Sequence, residues 1–268
     1  MVEYKSDPLR DVMKEHGVKK KDISRLDSNV KGLIAHLAED STTDHLTKIS
    51  NRRSFDREIK NAISAMDREL YDVGEVIIDI RDFDDINNTY GHPRGDDALV
   101  AVAKKIVKSI RRSDTPSRFT GGDEFGIILR GKGNRGLYHI IFTLPLKTEE
   151  IYINVGDKKN PTYRNVDLDI GATALDRSWL GKQMEQCKAN DKIDYVSSLI
   201  YDNVDQAMYR AKNYSKAGGK GNVVCLWIPE RNDENLIKNL KISSGRYVPH
   251  IIEQDGEFSL YKLKAVRK

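Results

Sequence analysis

Asp79 closes a short apolar run, EVIIDI at 75–80, while Asp123 and Glu124 follow Gly121 and Gly122 between two further strand-like runs. Carboxylates at strand ends and turns converge readily. If the two strands are neighbours, Asp79 and Asp123 can jointly hold Mg²⁺, which takes few carboxylates and fills its remaining positions with water and the phosphates of a nucleotide. The two glycines suit the same chemistry, since a missing Cβ lets backbone approach a phosphate or a base. Taken alone, a Gly-Gly-Asp-Glu turn is equally well explained as a solvated hairpin. Its company along the chain selects the chemical reading.

The elements that must position these groups follow from periodicity. Arg53 to Leu70 reads as a helix, with Ser41, Thr42 or Thr43 as the cap of a helix start upstream. EVIIDI reads as a buried strand, 81–96 as a polar, turn-like stretch, and Asp97 to Ile110 as a helix with Leu99, Val102, Ala103, Ile106 and Ile110 on one face. SRFTGGDEFGIILR is a strand, a turn and a strand. Residues 137–155 are β-branched and aromatic with Pro145 inside, and predict strands within an insertion near 131–165. VDLDIGATAL predicts another strand, 178–199 a loop, and 202–216 a helix. Strands alternating with helices around apolar runs define an α/β (α+β) sheet domain. Upstream, Ile23, Leu26, Val30, Leu33, Ile34 and Leu37 recur at helical spacing, so 1–43 reads as an N-terminal helical segment. Its apolar stripe packs on its own domain or against a second copy, and pairing is the favoured expectation. The domain itself spans 44–225, and 226–268 is an extension without a motif.

Composition removes several classes. The 268 residues carry 45 Lys plus Arg against 41 Asp plus Glu, a balance that speaks against a dedicated nucleic-acid polymer binder. No run of about 18 apolar residues or apolar leader is present, so no membrane span is expected and the cytoplasm is the default. Cys187 and Cys225 are too few for a disulfide framework, and the six histidines lack metal-ligand spacing.

Four segments in order, DHLTKISNRRSF (44–55), IIDIRDFDDINNTYGHPRGDD (77–97), RRSDTPSRFTGGDEF (111–125) and DQAMYRAK (205–212), make the chain resemble the GGDEF family of diguanylate cyclases over about residues 44–224. The resemblance implies a central, mainly antiparallel sheet surrounded by helices, with one GTP per subunit. Two subunits then face each other as a homodimer to make cyclic di-GMP and pyrophosphate. It implies Mg²⁺ (or Mn²⁺) at Asp79, the carbonyl of Ile80, Asp123 and Glu124, with Asp123 and Glu124 also in the catalytic role. Guanine falls to Asn87 and Asp96, and a carboxylate at Asp96 favours GTP over ATP. Phosphate falls to the backbone around Asp82, Phe83 and Asp84, to Gly121 and Gly122, and to Lys212 and Lys220. Arg111 and Asp114 match an inhibitory site for cyclic di-GMP, whose guanines and phosphates suit a bidentate guanidinium.

Several positions depart from the pattern. Arg81 replaces the second acid of the usual DxD strand end, and Asp84 replaces a lysine expected to touch phosphate. The two are three residues apart and are expected to pair on one helical turn. Lys48 and Ser50 stand in place of Gly and Pro, Thr120 is an added residue before the glycines, and NYSKAGG lengthens the approach to Lys220. The leading expectation is therefore a diguanylate cyclase. The alternatives are a catalytically impaired nucleotide or cyclic di-GMP receptor and a synthase of a different cyclic dinucleotide.

Overall fold

A computed structural model describes residues 27, 29–30, 42–68, 70–119, 122–148, 151–157, 159–219, 222–229, 237, 240 and 247–265. The expected N-terminal helix, its pairing role, Gly121 and Lys220 lie outside these residues.

An eight-stranded mixed sheet organises the chain. Its strands are β1 (Ser50–Asn51), β2 (Asp72–Ile80), β3 (Thr115–Arg118), β4 (Glu124–Gly131), β7 (Leu168–Leu175), β8 (Val223–Trp227), β9 (Tyr247–Asp255) and β10 (Phe258–Ala265). They lie in the order β1-β3-β4-β2-β7-β8-β10-β9. Only the β1–β3 and β7–β8 pairs are parallel. β5 (Tyr152–Asn154) and β6 (Tyr163–Asn165) form a separate two-stranded ribbon just before β7. β2 is central and carries eight consecutive buried residues, Val73 to Ile80, as expected of a strand covered on both faces.

Helices cover both faces. α1 (Arg52–Asp67) starts at Asn51, whose side chain accepts the Ser54 N–H, so the cap lies some ten residues beyond the expected Ser41–Thr43. α1 lays Phe55, Ile59, Ile63 and Met66 into an apolar cluster with Ile77, Ile128 and Val204. α2 (Phe83–Tyr90) and α3 (His92–Ser109) replace the expected turn-like stretch, separated at Gly91, whose φ of 84° breaks the helix. α5 (Arg177–Gln186) and the start of α6 (Lys192–Lys216), which begins ten residues earlier than predicted, together fill most of the expected loop after β7. The α1 and α6 layer lies on one face; α3 and α4 (Asn134–Thr148) pack the other, around Val76, Ile78, Leu99, Val102, Ile127 and Ile141.

α4 corrects the strand reading of 137–148, while the same reading holds at Tyr152–Asn154, which is β5. Leu137, Tyr138, Ile140, Ile141, Phe142 and Leu144 are buried, whereas the more open positions 135, 139 and 143 recur every four residues. That spacing is a helix with a narrow solvent stripe, and burial overrides the β preference of the individual residues. Pro145 sits near the C-terminal end of the helix, and its carbonyl accepts from the Asn222 amide at 3.3 Å. The extension also acquires a role in the sheet, since β10 pairs antiparallel with β8 and with β9. Both cysteines are free and buried. Among the described residues no helix is long and apolar enough to cross a membrane.

Glu75 is an acid inside this core. It is fully buried on β2, opposite Ile128 and Thr173, and neither carboxylate oxygen has a hydrogen-bond partner. Burial pushes its carboxyl from the ordinary 4.5 up to about 8, against the pull of Arg52. The folded chain therefore keeps a proton that the unfolded chain has released. The associated stability is complete below the unfolded value and disappears as pH rises through the folded one. Urea unfolding at pH 5 and pH 8 is expected to show the wild type losing on the order of 3 kcal/mol more than Glu75→Leu over that interval. Equal losses would mean that the Glu75 carboxyl is not held neutral by the core.

Candidate functional site

The chemistry gathers at the end of β2. In the ladder Asp79 lies opposite Glu124 of β4 on one side and Asp169 of β7 on the other. Side chains alternate along a strand, so all three project toward the face covered by α6. Asp79 is 2% exposed and Asp169 0%. Like charges directly opposite on neighbouring strands repel, and burial removes the water that would screen them. Two cations answer this. The Lys212 ammonium from α6 donates to Asp79 Oδ2 at 2.7 Å, and the Arg81 guanidinium donates to Asp169 Oδ1 at 2.7 Å. Ser215, one turn beyond Lys212, adds a hydroxyl donor to the same Asp169 oxygen at 2.5 Å. Arg81 is thus satisfied by β7 rather than by Asp84 as expected.

α6 reaches this row because β7 carries no side chain at Gly171. A Cβ there would collide with the Met208 backbone nitrogen and the Val204 carbonyl oxygen. The close approach brings Lys212 over Asp79.

Asp123 immediately precedes β4, and its carbonyl accepts the Ile80 N–H at 3.3 Å, so the two expected metal-bearing segments meet at the ends of β2 and β4. Among the described residues no three carboxylate, imidazole or thiol groups close around a cation as they stand. The acids are brought to one end of the sheet, and the ammonium of Lys212 holds one Asp79 oxygen. The other, Asp79 Oδ1, is buried without a partner. An orphaned carboxylate oxygen beside two further acids fits an oxygen-seeking divalent cation.

Electrostatics follow the burial. Burial pushes the Asp79 carboxyl up to about 6; the Lys212 hydrogen bond opposes this, and the charges of Asp123 and Asp169 add to it. Burial likewise raises Asp123 and Glu124, and Asp84 and Asp205 contribute repulsion to them respectively. Burial works against the charge of Lys212, but Asp79, Asp123 and Asp169 together hold it above the usual lysine value.

The turn after β2 supplies the remaining groups. Asp82 has φ 53° and ψ 37°, a left-handed conformation, and its side chain does not cap α2. The first N–H groups of α2, around Phe83 and Asp84, are thus left for an external acceptor. Asn87 packs its carboxamide against α3 at Gly95, where a Cβ would strike Asn87 Oδ1, and Asp96 is the next, exposed residue. The two expected guanine readers are therefore on facing helices at one place.

Arg118 holds the signature turn. It pairs with both Asp44 oxygens at 3.2 and 3.0 Å and donates to the Gly122 carbonyl at 3.2 and 3.0 Å. On the outer side, Glu124 borders a groove of about 540 Å³ shared with Arg52, Arg53, Asp56 and Phe119. The Arg52 guanidinium lies 4.3 Å from the Phe119 ring centre and 4.1 Å from that of Tyr201.

The expected inhibitory pair is divided by its environment. Asp114 is fully buried and accepts the Arg111 and Arg130 backbone N–H groups at 2.8 and 3.1 Å, whereas Arg111 is exposed. The Asp114 carboxylate therefore anchors the turn before β3. Sequence reasoning missed Asp169, Ser215 and Arg118. A carboxylate inside the apolar run LDIGATAL was the available signal for Asp169, the same signal that singled out Asp79.

Fold and site together define an α+β domain with a carboxylate row and a lysine at one end of a mixed sheet. The family model described as "Diguanylate cyclase, GGDEF domain" matches residues 41–217, and the chain belongs to that family. Diguanylate cyclase DgcS of Shewanella oneidensis is 36% identical over 169 residues, covering 63% of this chain and 49% of that one. Diguanylate cyclase TpbB of Pseudomonas aeruginosa is 26% identical over 208 residues, covering 77% and 42%. The chain thus spans about half or less of the length of these relatives. Among solved structures, the coiled coil and GGDEF domain of DgcB from Caulobacter crescentus, in complex with c-di-GMP, superposes with a TM-score of 0.58 at 18% identity. It covers 80% of this chain and 98% of that one, and at this identity the likeness concerns the fold.

Because Gly171 sets the height of α6, Gly171→Ala is expected to cost about 2–4 kcal/mol, read as a lowered Tm. An unchanged Tm would show that α6 is not in tight contact with β7.

Proposed function

We propose that the chain is a diguanylate cyclase that condenses two GTP into cyclic di-GMP and two pyrophosphates, as a homodimer with one GTP in each subunit. The observation that carries this reading is Asp79, buried with one oxygen orphaned and the other under Lys212, in a chain whose family match includes the intact signature at 121–125. Each condensation joins a 3′-oxygen to the α-phosphorus of the other GTP and breaks the bond to pyrophosphate; the hydroxyl proton leaves to a base or to water.

Asp79, the Ile80 carbonyl, Asp123 and Glu124 are the groups to hold Mg²⁺ or Mn²⁺, which supplies positive charge against the phosphates and the attacking oxygen. Asp96 accepts the guanine N1–H and N2–H while the Asn87 carboxamide adds a further hydrogen bond, a pattern that adenine does not offer. The N–H groups at Phe83 and Asp84 face the terminal phosphates, and Lys212 exchanges part of its bond to Asp79 for phosphate when nucleotide arrives. By the family pattern Gly121, Gly122 and Lys220 are also expected to serve the phosphates. Arg111, exposed beside the anchored Asp114, takes product at a separate inhibitory surface. GTP chemistry and two free cysteines suit the cytoplasm.

A second reading has a specific basis. Arg81 spends its charge on Asp169, and Asp84 adds an anion near Asp123, so a chain that binds nucleotide without turnover is the alternative.

Purified protein given GTP and Mg²⁺ is expected to yield cyclic di-GMP by mass spectrometry. Asp123→Ala should abolish synthesis with the Tm nearly unchanged, because Asp123 lies in the turn before β4. Turnover surviving in Asp123→Ala refutes the metal assignment. Cyclic di-GMP binding with no product selects the receptor, and an adenine-containing product selects a different cyclic dinucleotide.

A further inference from the structure

We propose that Arg81 is a positioning residue for nucleotide binding: its ion pair with Asp169 pins the turn that receives the triphosphate. This rests on the GTP reading of the site.

The turn begins where β2 ends. The Arg81 backbone N–H donates to the Asp167 carbonyl at 3.0 Å, which extends the β2–β7 ladder by one step. Its side chain, 13% exposed, then folds back on β7, with one guanidinium nitrogen 2.7 Å from Asp169 and another 3.8 Å from Asp167. Asp169 also receives Ser215 from α6. One carboxylate thereby ties the turn, the neighbouring strand and the helix that carries Lys212.

The next residue gives the tie its purpose. Asp82 is held in the left-handed region, which costs an L-residue some conformational energy although aspartate tolerates it better than most. No cap bond from the Asp82 side chain fixes the start of α2. Arg81 is the adjoining residue with a buried anchor, so its guanidinium sets where the N–H groups of Phe83 and Asp84 point. The same anchor neutralises a carboxylate directly across the ladder from Asp79. An arginine at this position therefore acts inward, on the shape of the phosphate turn.

The test uses a GTP analogue with a methylene bridge between the α- and β-phosphates, which cannot release pyrophosphate, titrated calorimetrically in Mg²⁺ alongside Tm. Arg81→Met is expected to weaken binding at least about tenfold, and Arg81→Lys to recover most of the loss. The double variant Arg81→Met/Asp169→Met removes both charges. It is expected to regain the Tm lost in Arg81→Met while binding stays weak, because no orphaned charge remains but the turn is still untied. Wild-type binding with Arg81→Met within twofold of it overturns the positioning role. So does a double variant that recovers affinity together with Tm, since Arg81 would then serve stability alone. A wild type that fails to bind the analogue overturns the GTP reading, and this inference with it.

Discussion

Carboxylates held side by side in a place with little water are the constraint around which this end of the molecule is built. Glu124, Asp79 and Asp169 occupy one rung across three adjacent strands. At the roughly 5 Å separation of directly opposed residues, and an effective dielectric near 20, two full charges repel by about 3 kcal/mol. Such a row persists only with cations close by. Lys212 and Arg81 supply them from different elements, α6 and the turn after β2. Neither cation saturates the row, since Asp79 Oδ1 and Asp169 Oδ2 are buried without partners. The fold is thus tuned to a state in which further positive charge is favoured.

The two faces of the sheet divide the labour. The face under α3 and α4 is apolar from Val76 through Ile141 and gives the sheet its stability. The face under α1 and α6 mixes apolar packing with acids, from Glu75 in the middle of β2 to Asp79 at its end. These two acids differ in what lies beside them. Glu75 has neither cation nor hydrogen-bond partner at its oxygens and is held neutral, whereas Asp79 keeps an ammonium within bonding distance. Burial that silences one carboxyl therefore leaves the other, pushed only to about 6, ionised under its ammonium near neutral pH.

The sequence disclosed what is local. The signature turn, the strand ending at Asp79 and the helix carrying Lys212 were legible because each depends on a few consecutive residues. The misread segments have physical causes. In 134–148 Tyr138, Ile140, Ile141 and Phe142 are β-branched or aromatic and favour a strand, but their burial comes from tertiary packing that a propensity cannot see, and only the four-residue spacing of Arg135, His139 and Thr143 hinted at a helix. The extension showed no motif because β10 is held by pairing with β8, a long-range contact, and β9 joins the sheet only through β10. Asp169 escaped for the same reason. Its meaning lies in its register opposite Asp79, which no local pattern encodes.

The expected pairing of Arg81 with Asp84 failed on geometry, and the reason bears on function. Along one turn the two side chains would have met in solvent, where an ion pair contributes little. Across the ladder Arg81 meets a carboxylate with no exposure, and there the interaction outweighs the local alternative. Asp84 is thereby left exposed, and its charge reaches Asp123. The two departures from the family pattern are consequently not a neutral exchange of partners. One moves a cation beneath the site, and the other adds an anion at its mouth, so on the proposed cyclase reading the site depends more heavily on an external cation to accept a triphosphate.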